Sequence, residues 1–295
     1  MSARILVTGA TGYLGKEVLR RYSLMGVEVR AAVHRTDHAV KELRSEMIET
    51  VPLDFTDKSL VENALEGVEI IVLITPAVSE LSEYVRIMLD VAKSSSVSHV
   101  IKISPTSVKK VPMIKLSKWH REAEMLLEES GIDYTIVRHN CLMQYFFSCM
   151  QPTGGLIYLP LGKENVSFID ARDVAVAISE ISMSLGNHRK RAYNLTGPQA
   201  LSMFKATSII TEVISQHVEY ADISEETTKH VMDGMGIPSW LSDLYLELYA
   251  FYRAGLACDV SEDFELITGG SSTTFLDFAR DHADLFRNIV EHEEE

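Results

Sequence analysis

The chain has 295 residues, 46% of them hydrophobic and 24% charged, which is typical of a globular protein in water. Its length predicts one large α/β domain, or a large domain with a smaller attached lobe. The net charge of −14 repels phosphate backbones and anionic lipids, so nucleic acids and membranes are poor partners.

Cysteine usage and the start of the chain bear on its location. The three cysteines have no metal-binding spacing, which predicts free thiols in a reducing compartment. The first strand is predicted to begin at about residue 4, which leaves no room for a secretion signal. The longest apolar stretch, near 70–74, is too short to cross a bilayer. We therefore expect a cytoplasmic protein.

Short β-branched runs alternate with amphipathic helical stretches over the first two thirds of the chain. The predicted strands are 4–8, 27–33, 47–53, 69–74, 99–104, 134–138 and 192–197. The predicted helices are 13–25, 39–43, 57–65, 80–94, 116–130 and 171–181. This alternation predicts an α/β fold, a doubly wound parallel sheet with helices on both faces.

The pattern weakens after residue 138. Residues 151–170 contain Gly-Gly and two prolines and predict an irregular hairpin. From residue 201 the chain is predicted to be mainly helical, with a strand near 217–223 and an aromatic helix at 240–255. A last helix is predicted to have Thr273 or Thr274 as its N-cap.

Three glycines separate the first predicted strand from the first helix, in the stretch RILVTGATGYLG. Glycine here permits a tight turn and lets a diphosphate approach the amides at the helix N-terminus. The predicted cofactor contacts at this turn are Gly9, Ala10, Thr11, Gly12, Tyr13, Leu14 and Gly15. A Walker loop is rejected, because Ala10 replaces its first glycine and Glu17 replaces its Mg²⁺-binding hydroxyl. We predict a dinucleotide cofactor.

The residues after the second strand bear on which dinucleotide binds. NAD usually requires a carboxylate there, whereas this chain has His34 and Arg35. A guanidinium pairs with a 2′-phosphate, so we expect NADP(H); the alternative is that Arg35 is an ordinary surface charge. Further predicted cofactor contacts, each also compatible with simple turn chemistry, are Asp54, Phe55, Thr75, Pro76 and Ser104. Asn140 is a predicted contact because it follows the sixth strand, at the carboxyl edge of the sheet where ligands bind in doubly wound folds.

The helix after the fifth strand contains the candidate catalytic residues, His120 and Glu124. Its apolar stripe consists of Leu116, Trp119, Ala123, Leu126 and Leu127. His120 lies at the edge of this stripe, with Glu124 one turn further on the same side. A histidine beside a nicotinamide would donate a proton or hydrogen bond to the substrate, and Glu124 would hold its tautomer. Alternatively, His120 only touches the cofactor and the two residues form a surface pair.

Other catalytic devices are absent from the sequence. None of the eleven tyrosines is followed four residues later by lysine, so ordinary alcohol oxidation by a Tyr-x-x-x-Lys pair is not expected. No metal-binding or hydrolase motif is present. Six aromatic residues either line a flat substrate pocket or form the core of the C-terminal lobe: Phe146, Phe147, Trp240, Tyr245, Tyr249 and Tyr252.

The chain resembles the NmrA-like group of atypical short-chain dehydrogenases/reductases. The resemblance rests on VTGATGYLG, PLDFTDKSL, HREAEMLLEESGIDYTIVRHN, FIDARDVA, YNLTGP and GIPSWLSDLYLELYAFYRAG. It implies a Rossmann domain, a small C-terminal lobe and a preference for NADP(H). It also implies that His120 stands where isoflavone-reductase-type enzymes have a functional lysine. His139 departs from the family, which frequently has proline at that position.

Together these features predict a Rossmann-like NAD(P)-binding domain over 1–150, whose sheet is completed by about 165–198. A smaller substrate-covering lobe is predicted from 151–164 and 199–295. The first hypothesis is an NADPH-dependent reductase of a small conjugated quinone, enone, imine or azo substrate. The alternatives are a non-catalytic NADP(H)-sensing regulator with a protein partner, and a pathway cyclase or isomerase. A homodimer is one option for its assembly.

Overall fold

The computed structural model describes residues 4–34, 46–109 and 114–291. Its strands are β1 Ile5–Val7, β2 Val29–Val33, β3 Ile48–Pro52, β4 Ile70–Leu73, β5 His99–Pro105, β6 Asp133–His139, β7 Leu156–Leu159, β8 Arg191–Leu195 and β9 Glu219–Asp222. Seven of them form a parallel sheet in the order β3-β2-β1-β4-β5-β6-β8. This is the Rossmann order, and the predicted doubly wound sheet is confirmed. The order reverses between β1 and β4, which opens a crevice at their carboxyl ends.

The helices are α1 Tyr13–Leu24, α2 Lys58–Ala64, α3 Leu81–Ala92, α4 Lys115–Glu129, α5 Ala171–Met183, α6 Leu185–His188, α7 Met203–Ile214, α8 Glu225–Gly234, α9 Ser239–Arg253, α10 Asp263–Thr268, α11 Phe275–Asp281 and α12 Ala283–Glu291. All the helices predicted in the first two thirds are present except 39–43, which lies outside the described residues. Among the helices described, none combines the length and the apolar content that crossing a membrane requires.

The sheet is covered on both faces because its strands are apolar on both sides. In β1, Ile5 and Val7 belong to the core beneath α1 and α5, while Leu6 belongs to the core beneath α2, α3 and α4. Burial on both faces explains the continuous apolar runs of these strands. The same alternation places Lys102 of β5, a charged residue within such a run, on the α4 face.

A third core lies in the C-terminal part of the chain and is rich in aromatic residues from 141–168 and 203–286. Here the predicted irregular hairpin over 151–170 is wrong. Gly154 and Gly155, both with positive φ, turn the chain before β7, and β7 then pairs in parallel with the distant β9. Of the two predicted N-caps, Thr274 is correct, since its Oγ1 accepts a hydrogen bond from the Asp277 amide. The division of the chain at residue 150 stays a prediction.

Candidate active site

The glycine turn lies at the carboxyl end of β1 and is tied to the end of β4. Thr8 Oγ1 donates to the Ile74 carbonyl at 2.7 Å and accepts from the Ile74 amide at 2.8 Å. Gly9 has φ +61°, and a Cβ on it would lie 2.8 Å from Ile74 Cγ2. A Cβ on Gly15 would lie 2.1 Å from the Gly9 carbonyl oxygen. The shape of the turn therefore requires glycine at both positions.

Gly12 has a different reason to be glycine. It is the N-cap of α1, with extended backbone and no side-chain capping bond, and the first turn has no acidic residue. A Cβ there would meet only the Gly9 carbonyl oxygen, at 3.5 Å, so packing does not demand glycine. Gly12 borders the cleft, and the amides that begin a helix have no intrahelical partner. This open, positively polarised helix end fits the diphosphate of a dinucleotide.

The cleft has two compartments that meet at the glycine turn. The first, the Phe55 compartment, has a volume of about 410 Å³. Its lining residues are Gly9, Ala10, Thr11, Gly12, Ala32, His34, Leu53, Asp54, Phe55, Ile74, Thr75, Pro76 and Tyr84. Phe55 and Tyr84 stack at 5.4 Å between ring centroids, with 7° between the planes. Hydrogen bonds from the Thr56 side chain and amide lower the pKa of Asp54, so this compartment has a flat aromatic wall and a carboxylate at neutral pH.

The second, the His120 compartment, has a volume of about 360 Å³ and is largely apolar. It is lined by Gly9, Gly12, Tyr13, Leu14, Gly15, Ile74, Thr75, Ala77, Ile103, Ser104, Pro105, Thr106, Ser107, Leu116, His120, His139, Asn140, Cys141, Leu142, Tyr145, Leu248, Phe251 and Tyr252. Burial raises the pKa of the Tyr145 and Tyr252 phenols, so both stay protonated. The compartment offers flat apolar surfaces with a few polar groups, as small-molecule sites do.

Every predicted cofactor contact that is described lines one of the two compartments. Arg35 lies outside the described residues. Asn140 borders the His120 compartment, but its Nδ2 donates to Ser167 Oγ at 2.6 Å and to the Ala257 carbonyl at 2.9 Å. Its Oδ1 accepts from the Cys141 amide at 2.9 Å. The Asn140 side chain is therefore engaged in joining β6 to the C-terminal part of the chain, which the sequence did not predict.

His120 lies on α4 at the wall of the cleft and is 8% exposed. Its Nδ1 is 3.3 Å from Nζ of Lys102. Burial, followed by the charge of Lys102, lowers the pKa of His120 well below its usual range. The imidazole is therefore neutral at physiological pH, and Nε2 is the nitrogen left for a ligand.

Glu124 does not serve His120 as the sequence suggested. Its carboxylate pairs with the Arg138 guanidinium of β6, at 2.7 Å and 3.0 Å, and with Arg121 Nη1 at 3.1 Å. Although burial alone raises the pKa of Glu124, the hydrogen bonds and charge of Arg138 hold it below the usual value. The expected contact between Glu124 and His120 is wrong. Arg138 binds both carboxylate oxygens of Glu124, and Lys102 lies beside Nδ1 of His120 instead.

Most of the six aromatic candidates belong to the C-terminal core. Tyr252 lines the His120 compartment, whereas Phe146 and Tyr249 are buried in that core and Trp240 is 53% exposed. Phe147 packs against other aromatic rings of the core, and Tyr245 stacks on Tyr249. The compartment instead takes its other aromatic walls from Tyr13, Tyr145 and Phe251.

Comparison with known proteins agrees with this geometry. The model of the NmrA-like family matches residues 1–254. The chain belongs to the NmrA-like family. It is 31% identical over 284 residues to the NAD(P)H azoreductase of Xenophilus azovorans, covering 96% of this chain and 99% of that protein.

Two solved structures illustrate the range of proteins that share this NmrA-like fold. An NADPH-dependent quinone oxidoreductase of Escherichia coli, complexed with NADPH, has a TM-score of 0.81 at 24% identity and covers 94% of this chain and 99% of that one. NmrA, a negative transcriptional regulator in complex with NADP, has a TM-score of 0.75 at 15% identity over 99% of both chains. The fold thus includes both enzymes and a regulator.

Sequence reasoning missed two groups at the centre of this NmrA-like site. Lys102 is fully buried beneath His120. The only sequence feature that could have pointed to it is the presence of a lysine in the mostly apolar strand HVIKIS. His139 borders the same compartment and its Nδ1 lies 2.7 Å from the Asn140 carbonyl oxygen. The family frequently has proline at position 139, and that difference drew attention to the residue. It did not predict the contact of His139 with the Asn140 carbonyl oxygen.

Proposed function

We propose that the protein is an NADP(H)-dependent oxidoreductase that reduces a small, flat, conjugated substrate of the quinone, enone, imine or azo type. The observation that supports this most is the His120 compartment itself. An apolar space of about 360 Å³ begins at the glycine turn and has a neutral imidazole in its wall. Part of this space would hold the nicotinamide, and its aromatic side chains and histidine offer contacts for a second ligand. The names of the azoreductase and the quinone oxidoreductase agree with this proposal.

The two compartments suggest how the cofactor would be held. Its adenosine half would lie in the Phe55 compartment, against the stacked Phe55 and Tyr84 rings and beside Asp54. The diphosphate would bind at the N-terminus of α1, where Gly12 leaves open space. The nicotinamide half would pass Thr75, which lines both compartments, and enter the second one. When bound, this cofactor supplies a hydride.

The remaining residues of the His120 compartment would hold and polarise the substrate. Tyr145, Phe251 and Tyr252 offer flat surfaces that favour a planar conjugated ring over a flexible polar molecule. His120 would donate a proton to the substrate oxygen or nitrogen as negative charge develops there. A neutral imidazole whose Nδ1 is already paired is suited to this, because Nε2 is the donor that remains.

We expect His120→Gln to lower kcat about a hundredfold, because a general acid typically contributes at least that factor. The affinity for NADPH, measured by fluorescence titration, should stay nearly unchanged, since the proposed diphosphate and adenosine contacts are made by other residues. Turnover is followed by reduced-nicotinamide absorbance across a panel of quinones, enones and azo compounds. Lys118→Gln is the control, because Lys118 is exposed on the same helix. Tight cofactor binding without turnover of any panel member by the wild type contradicts the enzyme proposal and favours a regulator.

The preference for NADPH is proposed to depend on Arg35, which follows the β2 strand in the sequence. We expect Arg35→Ala to reduce the ratio of NADPH to NADH affinity at least about tenfold, because a bidentate charged contact with the 2′-phosphate is lost. Arg20→Ala is the control, since Arg20 on α1 is exposed and pairs with Glu17. If Arg35→Ala and Arg20→Ala have the same ratio of NADPH to NADH affinity, the assignment of Arg35 is wrong.

A further inference from the structure

A lysine lies buried beneath the candidate catalytic histidine. Lys102 is 0% exposed, and its Nζ lies 3.3 Å from Nδ1 of His120 and 3.4 Å from Thr75 Oγ1. It also donates to the Ile103 carbonyl. No carboxylate among the described residues forms an ion pair with it, because the Glu124 oxygens are bonded to Arg138 and Arg121. Burying an ammonium without a paired anion costs free energy, so a lysine at this position needs a reason beyond packing.

The chemistry of the two groups fixes the direction of their hydrogen bond. An ammonium has three donors and no acceptor, so Nδ1 of His120 must accept. A neutral imidazole that accepts at Nδ1 has its proton at Nε2. The contact with Lys102 therefore selects the tautomer in which His120 presents a donor to the cleft.

We infer that Lys102 is a positioning residue and proton source for His120: it holds the Nε2–H tautomer and replaces, at Nδ1, the proton that Nε2 gives to the substrate. This inference rests on the proposed reductase function. It assigns the origin of the proton, which the position of His120 alone does not.

The proton passes from Lys102 through His120 to the substrate. The substrate takes a hydride from the reduced nicotinamide and one proton from Nε2 of His120. In the same step Nδ1 accepts a proton from Nζ of Lys102, so the imidazole stays neutral in its other tautomer and Lys102 becomes a neutral amine. After product release, Nε2 takes a proton from water in the cleft and Nδ1 returns its proton to Lys102. The net result is the uptake of one solvent proton per turnover.

The charges around Lys102 allow this exchange near neutral pH. Burial lowers the pKa of Lys102 to about 7, opposed in part by the charge of Glu124 on α4. Among the residues that the structure describes, the other titratable or charged groups facing this region are His120 on α4 and Arg138 and His139 on β6. His120 and His139 are neutral there, because burial lowers the pKa of each. Lys102 is protonated below its pKa, so kcat is expected to fall as the pH rises through about 7.

The first test uses the wild-type protein. The ¹⁵N chemical shifts of the histidine rings are recorded below pH 7, where Lys102 is protonated, and His120 is assigned from the signals that disappear in His120→Gln. We expect a protonated Nε2 and an unprotonated Nδ1. An Nδ1–H tautomer overturns the inference whether or not the protein turns over any substrate.

The second test compares Lys102→Met with Lys118→Met, which removes an exposed lysine from α4. Lys102→Met should lower kcat roughly ten- to hundredfold, abolish its decline through neutral pH, and leave KM nearly unchanged. Lys118→Met should match the wild type. If Lys102→Met keeps the wild-type kcat and pH profile while His120→Gln is impaired, the inference is wrong and the proposed function stands. If the wild type turns over no substrate, the proposed function and the proton transfer both fail. The NMR spectra still show which tautomer His120 adopts.

Discussion

Gly15→Ala should destabilise the fold and abolish cofactor binding, whereas Gly12→Ala should weaken cofactor binding alone. An alanine Cβ at residue 15 would lie 2.1 Å from the Gly9 carbonyl oxygen and 2.9 Å from Ala10 Cα. Both neighbours are backbone atoms of the same turn, so the turn itself must shift. Forcing an extra methyl into such a contact costs about 3 kcal/mol, which lowers the Tm by several degrees in a chain of this size.

The Gly12 variant separates binding from stability. A Cβ there would meet only the Gly9 carbonyl oxygen, at 3.5 Å, so the unfolding free energy should change by less than about 1 kcal/mol. The methyl group would nevertheless occupy space at the helix end where the diphosphate is proposed to lie. Urea unfolding and NADPH titration are measured on both variants, with Gly186→Ala as the control because its Cβ would meet nothing within 4 Å. Unchanged NADPH affinity in Gly12→Ala contradicts the placement of the diphosphate at this turn.

The sequence predicts the sheet and the glycine turn well because both depend on local patterns. Apolar runs specify buried strands, and the glycine spacing specifies a turn whose shape requires glycine at positions 9 and 15. At position 12 we propose that glycine leaves space for the diphosphate. Helix periodicity likewise places His120 at the edge of an apolar stripe, which is where the cleft runs. These features need no knowledge of distant residues.

The rest depends on contacts between residues far apart in the chain. The parallel pairing of β7 with β9 joins segments about sixty residues apart, and no local signal identifies the partner. Helix spacing makes His120 and Glu124 neighbours, but β6 supplies Arg138 and β5 supplies Lys102, and these two residues decide what each α4 side chain contacts. A helix pattern shows which side chains share a face; the strands beneath that face determine their partners.

That dependence leads to a second large effect, at the buried ion pair between Glu124 and Arg138. Glu124→Ala should lower the free energy of unfolding by about 3–5 kcal/mol, because it leaves the guanidinium buried without its anion. The Arg138 side chain is 5% exposed, and its Nη1 already has no hydrogen-bond partner among the described residues. Glu128→Ala is the matched control: Glu128 pairs with Arg121 one turn further along α4 but is 33% exposed, so its loss should cost less than about 1 kcal/mol.

The pH dependence of this loss provides an independent check. The pKa of Glu124 is lower in the folded protein than in the unfolded chain, so its stabilising contribution is complete above the unfolded value and disappears as the pH falls through the folded value. The difference in unfolding free energy between the wild type and Glu124→Ala, measured in urea, should therefore be largest near neutral pH and shrink in acid. Equal losses for Glu124→Ala and Glu128→Ala, or a difference independent of pH, would mean that the buried pair is not what fastens α4 to β6. In that case the placement of His120 over Lys102, which depends on the same helix face, would have to come from the apolar stripe alone.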